Sequence, residues 1–168
     1  MAINNNDILR RLRYAVELND ASMIEIFGLV EYPVARDQIR NWLKKEEDEG
    51  FEALNDKTLA TFLNGFIVQK RGKRDGDTPK AEQRLTNNII FMKLKIALNL
   101  KAEDILELLK LADFVISKHE LSAFFRRKDH KHYRECKDQI LRNFIQGIQF
   151  RYRDKKEPTK TFEWKSPK

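Results

Sequence analysis

The sequence predicts an all-α protein made of two tandem four-helix units, related by internal duplication and packed together. Three observations lead there. Residues 56–71, DKTLATFLNGFIVQKR, return as residues 138–153, DQILRNFIQGIQFRYR, at an offset of 82. In the first copy Leu59, Phe62, Leu63, Phe66 and Ile67 stand at i, i+3, i+4, i+7 and i+8, the apolar stripe of an amphipathic helix. Leu141, Phe144, Ile145 and Ile148 rebuild most of that stripe. Both copies also hold a glycine at one register, Gly65 and Gly147. A glycine in mid-helix costs about 1 kcal/mol relative to alanine. Its repetition points either to close approach by a neighbouring helix or to simple retention from a common ancestor.

The offset carries back to the N-terminus without a gap. Asn5 and Asn6 match Asn87 and Asn88, Ile8 matches Ile90, Leu12 matches Leu94, and Ala15 matches Ala97. Further on, Glu25 meets Glu107, Leu29 meets Leu111, Ile39 meets Leu121, Trp42 meets Phe124 and Phe51 meets Tyr133. A repeat that occurs twice marks a duplicated unit rather than a solenoid. The units are residues 5–71 and 87–153.

Each unit reads as four helices. Asn5 or Asn6 is expected to cap the first, with Ile8, Leu9, Leu12, Ala15 and Val16 on one face and an end near Leu18. Asp20 is expected to cap a second, with Met23, Ile24 and Phe27 inward and a stop near Gly28. Pro33 breaks the chain. A third helix is predicted over residues 35–46, burying Ile39, Trp42 and Leu43. Its counterpart opens with Ser117 and Glu120 in capping-box spacing. The acidic stretch 46–49, then Gly50 and Phe51, leads to the fourth helix. Residues 72–86, GKRDGDTPKAEQRLT, are polar with two glycines and a proline, and read as a flexible linker. Extended, they reach about 50 Å and fix no geometry between the units. Residues 154–168 show little apolar periodicity and read as a disordered tail, with Phe162 and Trp164 as a short docking motif or as residues that fold back.

Three segments carry a resemblance. The duplicated N-N-x-I…L…A…L opening, WLKKEEDEGF at residues 42–51 and FLNGFI at residues 62–67 resemble the YehS-like family of small bacterial proteins. These hold two tandem copies of a domain of unknown function. The resemblance implies a bacterial, all-helical, two-unit protein. It brings no activity, ligand or catalytic residue.

Composition bounds the function. Each unit alone is marginal in size, which favours a shared core. The single cysteine, Cys136, excludes a disulfide framework within the chain. The N-terminus lacks the basic and apolar regions of a signal peptide, and no apolar run approaches the roughly 18 residues of a membrane span. A cytoplasmic location without membrane contact is expected. The net charge of +7 is uneven: the first unit carries −2 and the second +6. Such asymmetry points to an acidic partner or to attraction between the halves.

Several candidate chemistries have plainer accounts. His130, His132 and Cys136 lie close together, with His119 upstream, and imidazole and thiolate are zinc ligands. Their spacing matches no zinc motif, and Asp48, Gly50 and Leu54 replace them in the first unit. Loop histidines and a half-buried cysteine are the simpler account, so no metal and no cofactor is expected. There is no phosphate-binding glycine loop, no nucleophile elbow and no HExxH motif, and no enzymatic activity is expected. Residues 23–43 have the outline of a helix-turn-helix. The turn is too long for the strict motif, and Ile39 and Trp42 read as core.

The stronger signal is basic. Arg126, Arg127, Lys128, Lys131 and Arg134 cluster with Tyr133 and two histidines, and Arg142, Arg151 and Arg153 extend the run along the last helix. Lys and Arg neutralise phosphates and release counterions, and an exposed tyrosine can stack on a base. Tyr133 matches Phe51, which favours a core role for it. The acidic connection at residues 46–49 is matched by residues 128–132, KDHKH, with the charge inverted. The two loops therefore face each other, face a second copy of the chain, or have drifted independently. The expected function is non-enzymatic binding of an RNA or DNA backbone through Arg126, Arg127, Lys128, Lys131 and Arg134. The alternative is a protein–protein adaptor or self-associating module.

Overall fold

A computed structural model describes residues 3–73 and 80–155 of the chain. The linker stretch 74–79 and most of the tail, with Phe162 and Trp164, lie outside the described residues. The first unit holds α1 (Asn5–Ala15), α2 (Asp20–Gly28), α3 (Arg36–Leu43) and α4 (Asp56–Arg71). The second holds α5 (Asn87–Ala97), α6 (Ala102–Leu111), α7 (Lys118–Ala123) and α8 (Asp138–Ile148). A π-helical turn, Gln149–Arg153, continues α8. Among the described residues there is no strand.

The backbone repeats with the sequence. Glu17 and Asn99 adopt positive φ at matched positions, as do Glu31 and Asp113. Each bends the chain after the first and second helix of its unit. The repeated glycines have one cause. A Cβ on Gly65 would collide with the carbonyl oxygen of Ile26 in α2, and a Cβ on Gly147 would collide with that of Leu108 in α6. Ile26 and Leu108 are themselves related by the offset. Each glycine lets the last helix of a unit lie directly on the backbone of the second.

The asparagine pair does not cap. Asn4 caps α1 by accepting from the Asp7 N–H at 2.8 Å, and Thr86 does the same for α5. Asn5 and Asn6 reach out of the helix instead. The Asn6 amide donates to the carbonyls of Trp42 at 2.8 Å and Glu52 at 2.9 Å, and its oxygen accepts from Leu54 N–H at 3.0 Å. Asn88 repeats all three bonds with Phe124, Arg134 and Cys136, at 3.1, 2.8 and 2.9 Å. Each buried amide thus pins both ends of the connection between the third and fourth helices. This is why α3 stops at Leu43 rather than at residue 46: Asn6 captures the Trp42 carbonyl, and Arg10 the Lys44 carbonyl at 2.8 Å. Asp20 is likewise not the cap of α2. Asn19 and Ser22 form that capping box, and Asp20 accepts from Arg13 at 2.6 Å. The box at Ser117 and Glu120 forms as the spacing predicts.

The units are joined by a reciprocal exchange. α4 packs on α5, while α8 and its π-helical turn pack on α1. Asp138 accepts from the Ile3 N–H of the first unit at 3.3 Å, and Asp56 accepts from the Leu85 N–H leading into the second at 2.8 Å. Ile3 and Leu85 are related by the same offset as Asp56 and Asp138. An interface in which each half gives the other what it receives is isologous, so the units are related by an approximate two-fold axis. One continuous apolar cluster, with Leu9, Phe62, Phe91 and Phe144 among its members, runs through both. Residues 80–86 are tied to this body by Leu85 and by an ion pair between Glu82 and Lys93 at 3.1 Å. Among the described residues no helix is long and apolar enough to cross a membrane.

Candidate nucleic-acid interface

Arg126, Arg127, Lys128, Lys131 and Arg134 all lie on the connection between α7 and α8, and all five are exposed. The connection holds its shape through backbone bonds. His130 N–H donates to the Arg127 carbonyl at 2.8 Å, and Tyr133 N–H to the His130 carbonyl at 3.0 Å. Arg134 N–H donates to Ala123, and its own carbonyl is held by Asn88. Cationic side chains therefore project from a fixed backbone. One weak internal partner is present: Arg127 lies 3.5 Å from Asp129, with both side chains largely in solvent. Such pairs are worth about 0–1 kcal/mol.

Four of the five cations divide between two hollows, and Arg127 lines neither. Arg126 and Lys128 line a groove of about 650 Å³ over the outer face of α5. Lys131 and Arg134 line a smaller hollow of about 350 Å³ against α7, with His119 and His132. His119 is brought to His132 by the fold, ring centroids 6.4 Å apart. Arg151 and Arg153 do not extend the patch. Arg151 lies 3.6 Å from Glu107, and the Arg153 guanidinium sits 3.8 Å over the Tyr14 ring and donates to the Tyr14 carbonyl. Both are drawn onto neighbouring helices by the turn that follows α8.

His130, His132 and Cys136 do not converge. The two imidazoles are in solvent, 5.4 Å apart between centroids, whereas Cys136 is buried under the connection. Burial, with the Asp138 carboxylate adding to it, pushes the thiol up to about 12. Among the described residues no three His, Cys, Asp or Glu side chains are grouped to hold a metal ion. Among the described residues no ion pair joins residues 46–49 to 126–134.

The groove over α5 was not foreseen from the sequence. Ile67 of α4, Ile89, Met92 and Ile96 of α5, and Phe125 form its apolar surface. Half-buried Tyr133 and exposed Arg84, from the stretch that leads into α5, also line it. Lys93 lies within it but is engaged, donating to Asn64 Oδ1 at 2.6 Å and pairing with Glu82. The first unit treats the same place differently. Asp7, Arg10 and Tyr14 stand where Ile89, Met92 and Ile96 stand in the second. Arg10 pairs with Asp7 and bonds the Lys44 carbonyl, so charged groups cover that surface.

A family model described as a protein of unknown function, DUF1456, matches the chain twice, over residues 5–72 and 87–154. The chain is 44% identical over 154 residues to the uncharacterized protein YehS of Escherichia coli strain K12. That similarity covers 90% of this chain and 98% of the relative. No solved structure matches the chain.

Proposed function

We propose a function for a chain that belongs to the DUF1456 family: non-enzymatic binding of nucleic acid through the phosphate backbone, by the basic connection of the second unit. One observation carries it. Two connections, pinned at matched positions by matched asparagines, carry net charge of opposite sign. Glu46, Glu49 and Glu52 of the first stand where Lys128, Lys131 and Arg134 project into solvent from the second, while Arg126 and Arg127 keep the positive charge of Lys44 and Lys45. A shape kept while its net charge turns from negative to positive supports an anionic partner for the second unit. Phosphate contacts set affinity and register but carry little sequence information, so binding is electrostatic and weakly specific. The non-enzymatic reading has its own support: the Cys136 thiol, buried and pushed up to about 12, supplies no nucleophile near neutral pH.

The test is a salt titration. Retardation of RNA or DNA at about 50 mM salt is expected to weaken steeply towards about 200 mM. Reversing Arg126 and Lys128 to Glu is expected to lower affinity at low salt and to flatten the salt slope by roughly one for each phosphate no longer neutralised. Absence of any retardation at low salt refutes the proposal.

A further inference from the structure

We infer that the nucleic acid taken by this protein is single-stranded, and that an unpaired base occupies the apolar groove over α5. This rests on the nucleic-acid reading above and adds to it the form of the strand. The groove calls for an occupant with an apolar surface. α5 carries two apolar stripes: Ile90, Phe91, Leu94 and Ala97 face the core, whereas Ile89, Met92 and Ile96, at i, i+3 and i+7, face the groove. A helix apolar on both sides is ordinarily covered on both. Ile96 is left 44% exposed. The same position in the first unit carries polar groups instead: Asp7, Arg10 and Tyr14, with an ion pair across the surface and the Arg153 guanidinium over the Tyr14 ring. The second unit lacks those charges, and among the described residues the space over Ile89, Met92 and Ile96 stays open as the groove.

Charge selects the occupant. Arg84, Arg126 and Lys128 line the groove together with its apolar floor. Among the described residues lining the groove the one carboxylate, Glu82, is matched by Lys93. Cations beside an apolar floor fit a ligand in which anionic groups alternate with flat apolar faces, which is the repeat of a single strand. Phe125 and Tyr133 offer rings at the wall. Base stacking on such rings tolerates any sequence because every base has a π-face. In a duplex those faces are stacked on one another and cannot reach the floor without unpairing.

The experiment measures binding of DNA and RNA oligonucleotides of about 16 nucleotides, each single-stranded and annealed to its complement, at low salt. The full chain is expected to hold the single strand at least about tenfold more tightly than the duplex. The double substitution Ile89→Asp with Met92→Arg installs the pair that the first unit carries and leaves net charge unchanged. It is expected to abolish the preference while leaving duplex binding within about twofold, since the backbone cations are untouched. Ile96→Asn, at an exposed site that folding tolerates, is expected to reduce the preference several-fold and serves should the double variant not fold. Equal binding of single strand and duplex by the unaltered chain overturns the inference and leaves backbone binding standing. A preference that survives the substitutions also overturns it. Failure to bind any strand at low salt overturns the nucleic-acid reading, and this inference with it.

Discussion

Asp138 shows how much of this molecule is decided by single polar groups. Its carboxylate accepts from the Asn87 amide at 2.7 Å and from the Ile3 backbone of the opposite unit. The Asn87 bond is the largest cause that holds its pKa below the usual carboxylate range. Burial opposes the shift, and the Ile3 N–H reinforces it. A carboxyl whose pKa is lower folded than unfolded adds stability that is complete above the unfolded value and is lost as pH falls through the folded one. Asp138→Asn keeps an acceptor but removes the titration. We expect the wild-type chain to exceed this variant in stability at neutral pH by about 1 kcal/mol, roughly 2–4 °C in Tm. The gap should close as pH falls below the ordinary carboxylate range and through the lowered folded value. Thermal melts of both across that range decide it, and a gap independent of pH would refute the assignment. The repetition of this aspartate and of the asparagine pair was legible in the sequence; their work was not. A cap is a local inference, three residues long, whereas the bonds of Asn6 and Asn88 join residues 36–48 apart. Nothing local distinguishes an asparagine at the start of a helix from one that reaches away from it.

At the scale of the element, the repeated glycines make the sharpest test. On propensity alone, Gly147→Ala in α8 should stabilise the helix by about 1 kcal/mol. The Leu108 carbonyl lies where the new methyl would go, and it is backbone, so it cannot swing aside. Overpacking of this kind typically costs about 1–3 kcal/mol, and the substitution is expected to destabilise by that amount. Gly65→Ala should behave alike against Ile26. A chemical-denaturation midpoint that rises instead would show that α6 and α8 separate easily. Here the sequence was informative, because two copies of a costly residue at one register point to one packing cause. The groove over α5 was legible in principle and was missed. Ile89, Met92 and Ile96 against Asp7, Arg10 and Tyr14 is a contrast between copies, whereas the repeat is found by what matches. The division of the basic cations between two hollows was not legible at all. The cations that share a hollow are set by the backbone turns at residues 127–133, which matched spacing alone does not fix.

At the scale of the molecule, the exchange between the units decides whether either can stand alone. Nine consecutive residues of α4, from Thr58 to Phe66, are buried. A helix covers its whole circumference in about four residues, so α4 is enclosed on every side, and α5 of the other unit supplies part of that enclosure. A fragment of residues 1–73 is without that cover and leaves Asp56 without the Leu85 N–H. It retains an α1 surface of its own, the counterpart of the one α5 presents, and an Ile3 N–H to offer. Two such fragments can therefore rebuild the two-fold exchange, each placing its α4 on the other's α1, by the low-cost route of swapping identical elements. Charge modulates the outcome. The first unit carries −2 and the second +6, so a pair of second units repels itself most and a mixed pair least. Separately expressed fragments 1–73 and 80–155 are expected to associate one-to-one when mixed and to regain a single cooperative melt. Fragment 1–73 alone should run as a dimer and fragment 80–155 alone should dimerise more weakly, most visibly at low salt. Light scattering after size exclusion measures all three. If either fragment proves a monomer that melts cooperatively by itself, the second unit is not needed to complete the core of the first. The basic connection could then be studied on a single unit.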